Sequence, residues 1–380
     1  MNFYIPSNVN NIFIVELEFH TGFLNTIIKL LNTKGFYPTI IISNENNAEI
    51  EKIIKDKNLL VKKKIIINTD KFIKNQFYEI SIKKSDMLIN FPVQTNLKCL
   101  YWRNFFVLKF QNIYQIILRP EEIKFNKTLL FNPITSLKKI ILWVFRMKIV
   151  KRSNNLICSS PEAKEFLASI FKSRKIIVLP YSLNFSEPDR PKEFLTKTIV
   201  ICGSIDEDRR DYMSVLDAIE KINHNLWKFV FLGYLDSNQI NKKTYAPTKV
   251  KYHNLLLNRV STLTAKGYSI KTFQYRIPDD EYKSFIKNSD WVLIPAVASN
   301  NFAGSWSAGI SEAIENGKPI IMRLGALIPA HIEQKCLTYD STKSLARLLN
   351  NKQTQELETV KKFRKFLQDE MNIVNWIEPF

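Results

Sequence analysis

Apolar positions along this chain gather into short dense runs, and between the runs lie longer stretches where apolar residues recur at helical spacing. Residues 11–17 form the first run. The loop EFHTG follows, then a helical pattern over residues 23–31, a stop at Gly35, and a second run at 39–43. Such a sequence predicts strand, helix, strand. Further strand-like runs cover residues 64–68, 87–90, 113–118, 155–159 and 175–180. The segment SPEAKEFLASIF predicts a helix with Ser160 as N-cap, Pro161 at its first position and Glu162 in its first turn.

After the polar segment NFSEPDRPKEF the rhythm restarts. Residues 198–202 predict a strand ending in Gly203, 212–222 a helix, and 228–232 a strand ending in Gly233. A polar stretch spans 234–272. Then come FQYRIPDDEYKSFIKNSDWVLIP, the glycine-bearing stretch AGSWSAGISEAIENGKPII, and a strand at 319–323. Strands alternating with helices imply parallel sheets covered on both faces. Two such series, joined near residues 183–195, predict an α/β chain of two Rossmann-like domains. The rhythm repeats, but the letters do not.

Composition adds constraints. The 380 residues suffice for two cores, and 45% hydrophobic with 24% charged residues describes a globular chain. The net charge of +19 is unusual and points to an anionic partner. Some of the excess is a general preference for Lys, Asn and Ile. The first residues show no basic start followed by an apolar core, so no signal peptide is expected. No run approaches the ~18 apolar residues that span a bilayer. Cys99, Cys158, Cys202 and Cys336 lack paired spacing, which argues against zinc or disulfides and for a reducing, cytoplasmic setting. Cys158 and Cys202 end apolar runs and are expected in the core.

In parallel sheets of this kind, ligands lie beyond the carboxyl ends of the strands. The loops that follow strands therefore carry the candidate chemistry. Three of only nine glycines (Gly304, Gly309 and Gly317) bracket one short helix. Gly304 and Gly309 would let backbone approach a ligand at its start, and Gly317 would end it. Free N–H groups at that start suit a diphosphate, with Ser305, Ser307 and Ser311 as added donors. Glu312 suits the two hydroxyls of a ribose; alternatively it is a first-turn acid that complements the helix dipole. Arg209 and Arg210, after Gly203, would neutralise a leaving diphosphate or else pair with Asp206, Asp208 or Asp211. The same loop contains Asp206-Glu207-Asp208, a possible metal site that two adjacent cations disfavour. No metal or cofactor is expected.

The segments IVICGSIDEDRRDYMSVLDAI, FQYRIPDDEYKSFIKNSDWVLIPA and GISEAIENGKPII occur in this order, and together they resemble the signature segments of GT-B glycosyltransferases, in the pattern of family four. The resemblance implies a cleft between the two domains and a nucleotide-diphosphate sugar as donor. By position, Arg209 matches the family's diphosphate-binding lysine, and Glu312 the second glutamate of its pair, the one on the ribose. Arg276 and Ile277 match the segment whose backbone reads the base. Thr21 and Gly22 match the loop that approaches the donor from the N-terminal domain. Gly304 stands where the first glutamate would be, Ser204 where an arginine is usual, and Thr21 where a glycine is. Asn300 and Asn301 are candidates for the sugar contacts of the absent glutamate.

The resemblance also implies a last helix that returns to the N-terminal domain. Val360, Phe363, Phe366, Leu367, Met371 and Val374 have helical spacing, and Trp376 and Phe380 would anchor that helix. The expected division is an acceptor domain at 1–182, a nucleotide-sugar domain at 183–360 and the returning helix at 361–380.

His20, two residues after Glu18, is a candidate base or sugar contact. Glu18, Glu121 and Glu122 compete for that role, and Arg119 is a candidate phosphate ligand. His224, His253 and His331 are expected to be solvent-facing or in loops. Residues 124–153 hold eight Lys or Arg and no acid. On a helical wheel these cations spread widely rather than forming one stripe, so a clean membrane-surface helix is not expected and a partly buried connecting helix fits. A contact with anionic membrane or a lipid diphosphate is the functional alternative, and nucleic acid is not expected. Taken together, the expectation is a metal-independent sugar transferase acting on a glycan or lipid-linked acceptor. A GT-B epimerase, an inactive copy and a basic binding module are the alternatives.

Overall fold

The computed structural model describes residues 5–18, 20–69, 81–92, 97–123, 133–179, 197–203, 205, 207, 210–223, 226–234, 247–275, 277–297, 308–325, 333–350, 362 and 365. The chain divides into two compact units, the first over residues 1–183 and the second over most of 184–372.

The first unit runs β1 (Ile12–Glu16), α1 (Thr21–Thr33), β2 (Thr39–Ser43), α2 (Asn47–Asp56), β3 (Lys63–Ile67), β4 (Met87–Asn90) and α3 (Leu97–Lys109). It continues with β5 (Asn112–Ile117), a 3-10 turn (Pro120–Ile123), α4 (Pro133–Arg152), β6 (Asn155–Cys158), α5 (Pro161–Ile170) and β7 (Lys175–Val178). The strands form a seven-stranded sheet in the order β3-β2-β1-β4-β5-β6-β7, with every pairing parallel. Helices cover both faces, so the central strands read as unbroken apolar runs; all five residues of β1 are buried. Ser160 caps α5 as the sequence predicts, its Oγ accepting from the Ala163 N–H at 3.0 Å.

The second unit runs β8 (Lys197–Ile201), α6 (Tyr212–Ile219), β9 (Trp227–Tyr234), α7 (Pro247–Ala265), β10 (Ser269–Phe273) and α8 (Asp279–Lys287). Then follow β11 (Trp291–Ile294), α9 (Ala308–Glu315), β12 (Ile320–Arg323), β13 (Leu337–Tyr339) and α10 (Thr342–Asn350). Its six strands are again all parallel, ordered β10-β9-β8-β11-β12-β13. The two-unit α/β architecture expected from the sequence is present.

Several elements depart from expectation. The polar stretch 234–272 contains α7 and β10. That helix buries Leu256, Val260 and Leu263 but exposes Leu255, which blurs its apolar stripe. The strand is a half-exposed sheet edge. His253 is not solvent-facing: it lies on α7, buried, with Nε2 3.2 Å from the Ile205 carbonyl. His224, His331, and all of the expected returning helix except Lys362 and Lys365, fall outside the described residues.

Each sheet reverses its strand order once, between β1 and β4 in the first unit and between β8 and β11 in the second. Beyond the carboxyl ends of the strands at such a reversal, an open α/β sheet leaves its ligand crevice.

Candidate functional site

At the first reversal, β1 ends in Glu16, a fully buried acid at the close of an otherwise apolar strand. The compensating charge is Arg103, also fully buried and delivered by α3. Its Nη1 donates to the Val15 carbonyl (3.1 Å), to Asn90 Oδ1 (3.4 Å) and to the Phe91 carbonyl, while Nη2 lies 3.5 Å from Glu16 Oε1 and 4.0 Å from Glu18 Oε2. Glu16 Oε1 also accepts the Glu18 N–H at 2.6 Å. Its second oxygen, Oε2, is 3.1 Å from Nδ1 of His20, the N-cap residue of α1. A carboxylate only accepts, so Nδ1 is the donor, and a base acting from this ring would act through Nε2.

This cluster is closed by amides. Asn46 donates to the Glu18 carbonyl, and Asn90 Nδ2 donates to Gln115 Oε1 at 2.6 Å across the β4–β5 ladder. Cys99 Sγ donates to the Leu17 carbonyl (3.6 Å), and burial, followed by the Glu18 charge, pushes its pKa up to about 12. Beside it, at the end of β5, a recess of about 40 Å³ is lined by residues including Pro92, Gln115, Ile117, Leu118 and Arg146.

The second reversal is built differently. Gly203, just after β8, has φ +106°, a conformation that disfavours side chains. A Cβ there would lie 2.1 Å from Arg210 Nη2, because the guanidinium rests directly against this glycine. Arg210 is buried, and its Nε donates to the Cys202 carbonyl at 3.2 Å. Its backbone bridges Ala296, and the Asp211 N–H donates to the Pro295 carbonyl (2.9 Å), stitching the β8 loop to the end of β11. Gly233 is required by close approach: a Cβ there would come 2.4 Å from the Gly203 carbonyl oxygen.

Helix α6 begins at Tyr212, where the apolar pattern predicts it, and Arg210 precedes its cap. Asp211 is the N-cap of α6, accepting from the Ser214 N–H at 3.0 Å, and its other oxygen takes Arg323 Nη1 at 2.8 Å.

Glu312 is the fifth residue of α9 and not in its first turn, so the dipole reading is corrected. Half-buried, its Oε2 accepts from Tyr282 Oη at 2.7 Å. Burial, then the neighbouring Cys202 and Glu312, raises the Tyr282 pKa far above the usual phenol range, so this hydroxyl remains a donor. Cys202 is likewise held as a neutral thiol, first by burial and then by the Glu312 charge. Next to Glu312, the buried Ser311 Oγ has no hydrogen-bond partner among the described residues. Gly309 is buried in the first turn of α9, Gly317 has the positive φ (61°) of a helix end, and the Ile277 side chain packs in the core.

Arg209, Arg276, Asn300, Asn301, Gly304, Ser305 and Ser307 lie outside the described residues. For Glu121, Glu122, Thr21 and Gly22 only the backbone is described: the glutamates in the 3-10 turn, the other two opening α1. Glu16, Arg103 and Tyr282 were not anticipated. A single acid ending a wholly apolar strand was the one sequence signal for Glu16. Among the described residues no group of three or more His, Cys, Asp or Glu is placed to hold a metal ion.

No protein-family model and no curated protein sequence matches the chain. Solved structures do. The chain is similar to TarM from S. aureus in complex with UDP and α-GlcNAc-glycerol, with TM-score 0.57, 11% identity, and coverage of 97% of this chain and 98% of that one. It is similar to a lipopolysaccharide outer core galactosyltransferase, WaaB (TM-score 0.54, 12% identity, 96% and 97% covered). It is also similar to a UDP-GlcNAc 2-epimerase from Neisseria meningitidis bound to UDP-GlcNAc (TM-score 0.52, 12% identity, 96% of both). The fold is therefore the GT-B fold, shared by sugar transferases and sugar-nucleotide epimerases.

Proposed function

We propose that the protein is a glycosyltransferase, of the kind the family-four pattern suggests, which moves a sugar from a nucleotide-diphosphate donor to a hydroxyl of a glycan or lipid-linked acceptor. The observation that carries this reading is the His20–Glu16 pair at the first strand reversal, a base held in one tautomer by a buried carboxylate. In this reading the first unit serves the acceptor. His20 Nε2 takes the acceptor proton as the acceptor oxygen bonds to the anomeric carbon. The bond from that carbon to the diphosphate breaks, and the nucleoside diphosphate leaves.

The second unit serves the donor. Arg210 supplies positive charge where a metal serves in other sugar transferases, Ser311 offers an unpartnered hydroxyl at the α9 start, and Glu312, set by Tyr282, takes ribose hydroxyls. UDP is the first base to test, since similar structures hold UDP or a UDP-sugar. The four free thiols fit action in a reducing cytoplasm.

The test separates binding from chemistry. Glu312→Ala should weaken UDP binding by roughly ten- to a hundredfold, the worth of a charged hydrogen bond. His20→Ala should leave UDP affinity intact and lower kcat by about a hundredfold or more. Transfer should persist in EDTA. Recovery of the donor as its C2 epimer, with no sugar reaching any acceptor, would replace this reading with the epimerase one.

A further inference from the structure

Helix α4 packs one side on the first unit and leaves the other to solvent. Leu142, Ile149 and Val150 are buried. On the opposite side Leu137, Ile141 and Val144 are 61%, 36% and 49% exposed, followed by exposed Lys148 and Lys151. At 100° per residue these five lie within an arc of roughly 100°. The exposed stripe is thus apolar over its first turns and cationic over its last. Helical spacing hid it in the sequence, because the buried side of α4 is apolar too. At its basic end, Arg152 donates from Nε to the Val107 carbonyl (3.0 Å) and from Nη2 to the Leu108 carbonyl (3.3 Å). That contact sets exposed Leu108 and Lys109, the end of α3, beside the stripe. Neither α3 nor α4 contains an acidic residue.

We infer that this face docks on the surface of an anionic lipid bilayer, with α4 lying in the membrane plane. Leu137, Ile141 and Val144 enter the acyl boundary, while the stems of Lys148 and Lys151 run along it and their ammonium groups meet lipid phosphates. Charge complementarity selects this occupant. Three apolar side chains fall far short of the roughly 800 Å² per partner that a stable protein interface buries. The helix lies on the bilayer and does not cross it: among the described residues none is long and apolar enough to do so. The inward side of α4 contributes Arg146, Ile149 and Val150 to the recess at the end of β5, so one helix joins the lipid surface to the strand ends. The docking does not depend on the transferase reading.

Vesicle co-sedimentation tests it without any enzymatic readout. The full chain should sediment with mixed phosphatidylglycerol–phosphatidylcholine vesicles, weakly with phosphatidylcholine alone, and less as salt rises. Lys148→Gln/Lys151→Gln should lower partitioning about thirtyfold, and Leu137→Ser/Val144→Ser about tenfold or more. All these side chains are exposed, so melting temperatures should match the wild type. The inference is overturned if the wild type ignores anionic vesicles or if both variants bind as it does. It is also overturned if the wild type is a dimer that the Leu137/Val144 variant dissociates while vesicles capture neither form; a second copy would then cover the stripe.

Discussion

The two sheets reverse strand order in the same way, yet the two reversals hold opposite chemistry. In the first unit the crevice end is packed with acids and a histidine, Glu16, Glu18 and His20, around one fully buried arginine. In the second a buried arginine leans against a glycine, and the acid is set apart on α9 under a tyrosine hydroxyl. Topology fixes where a ligand can lie; the side chains at the strand ends decide whether that place handles protons or anions. The connections differ to match. From β1 the chain passes almost directly into α1, with His20 at the cap. After β8 it makes a longer excursion to Asp211, long enough for Arg210 to fold back over Gly203.

The largest expected effect tests the first side of this contrast. Arg103→Ala would strand two buried carboxylates and should cost about 3–5 kcal/mol of stability. Urea unfolding measures the loss, and amide exchange should show protection falling in β1 and β4 before β8 and β11. Equal loss in both sheets would mean that the network does not belong to the first unit alone.

On the other side, Gly203→Ala meets both a positive φ and the Arg210 guanidinium, and should cost about 1–3 kcal/mol. Nucleotide affinity should fall with it as Arg210 is displaced, while exchange in β1 stays unchanged. Tyr282→Phe removes one neutral donor to Glu312. It should weaken UDP binding by only a few-fold, about 1 kcal/mol by titration calorimetry, and less than Glu312→Ala does.

The last effect is silent at neutral pH and belongs to the first unit alone. Folded Cys99 and Cys158 are pushed up to about 12 by burial, whereas an unfolded thiol titrates near 9.0. Their contribution to stability is therefore complete below pH 9 and is lost as pH rises towards 12. Thiolate ultraviolet absorbance should stay absent from the folded protein through pH 9 to 11 and emerge on unfolding. Early titration of one thiol would show whether α3 or β6, both in the first unit, opens first.

The apolar runs alone determined the alternation of strands and helices, because strands buried on both faces must be apolar throughout and so stand out locally. The same runs placed His20, Gly203 and Glu312 just beyond strand ends or on the helix that follows, where a parallel sheet admits a ligand. The half-exposed elements were not legible: α7 and β10 bury too little of themselves to print a clear period. Nor were the partners of the candidate residues. That Glu16 faces His20 and Arg103, that Arg210 covers Gly203, and that Tyr282 holds Glu312 are contacts between segments brought together by the sheets. Only the tertiary structure could decide them, because a hydrogen bond or ion pair depends on position in space and leaves no period along the chain.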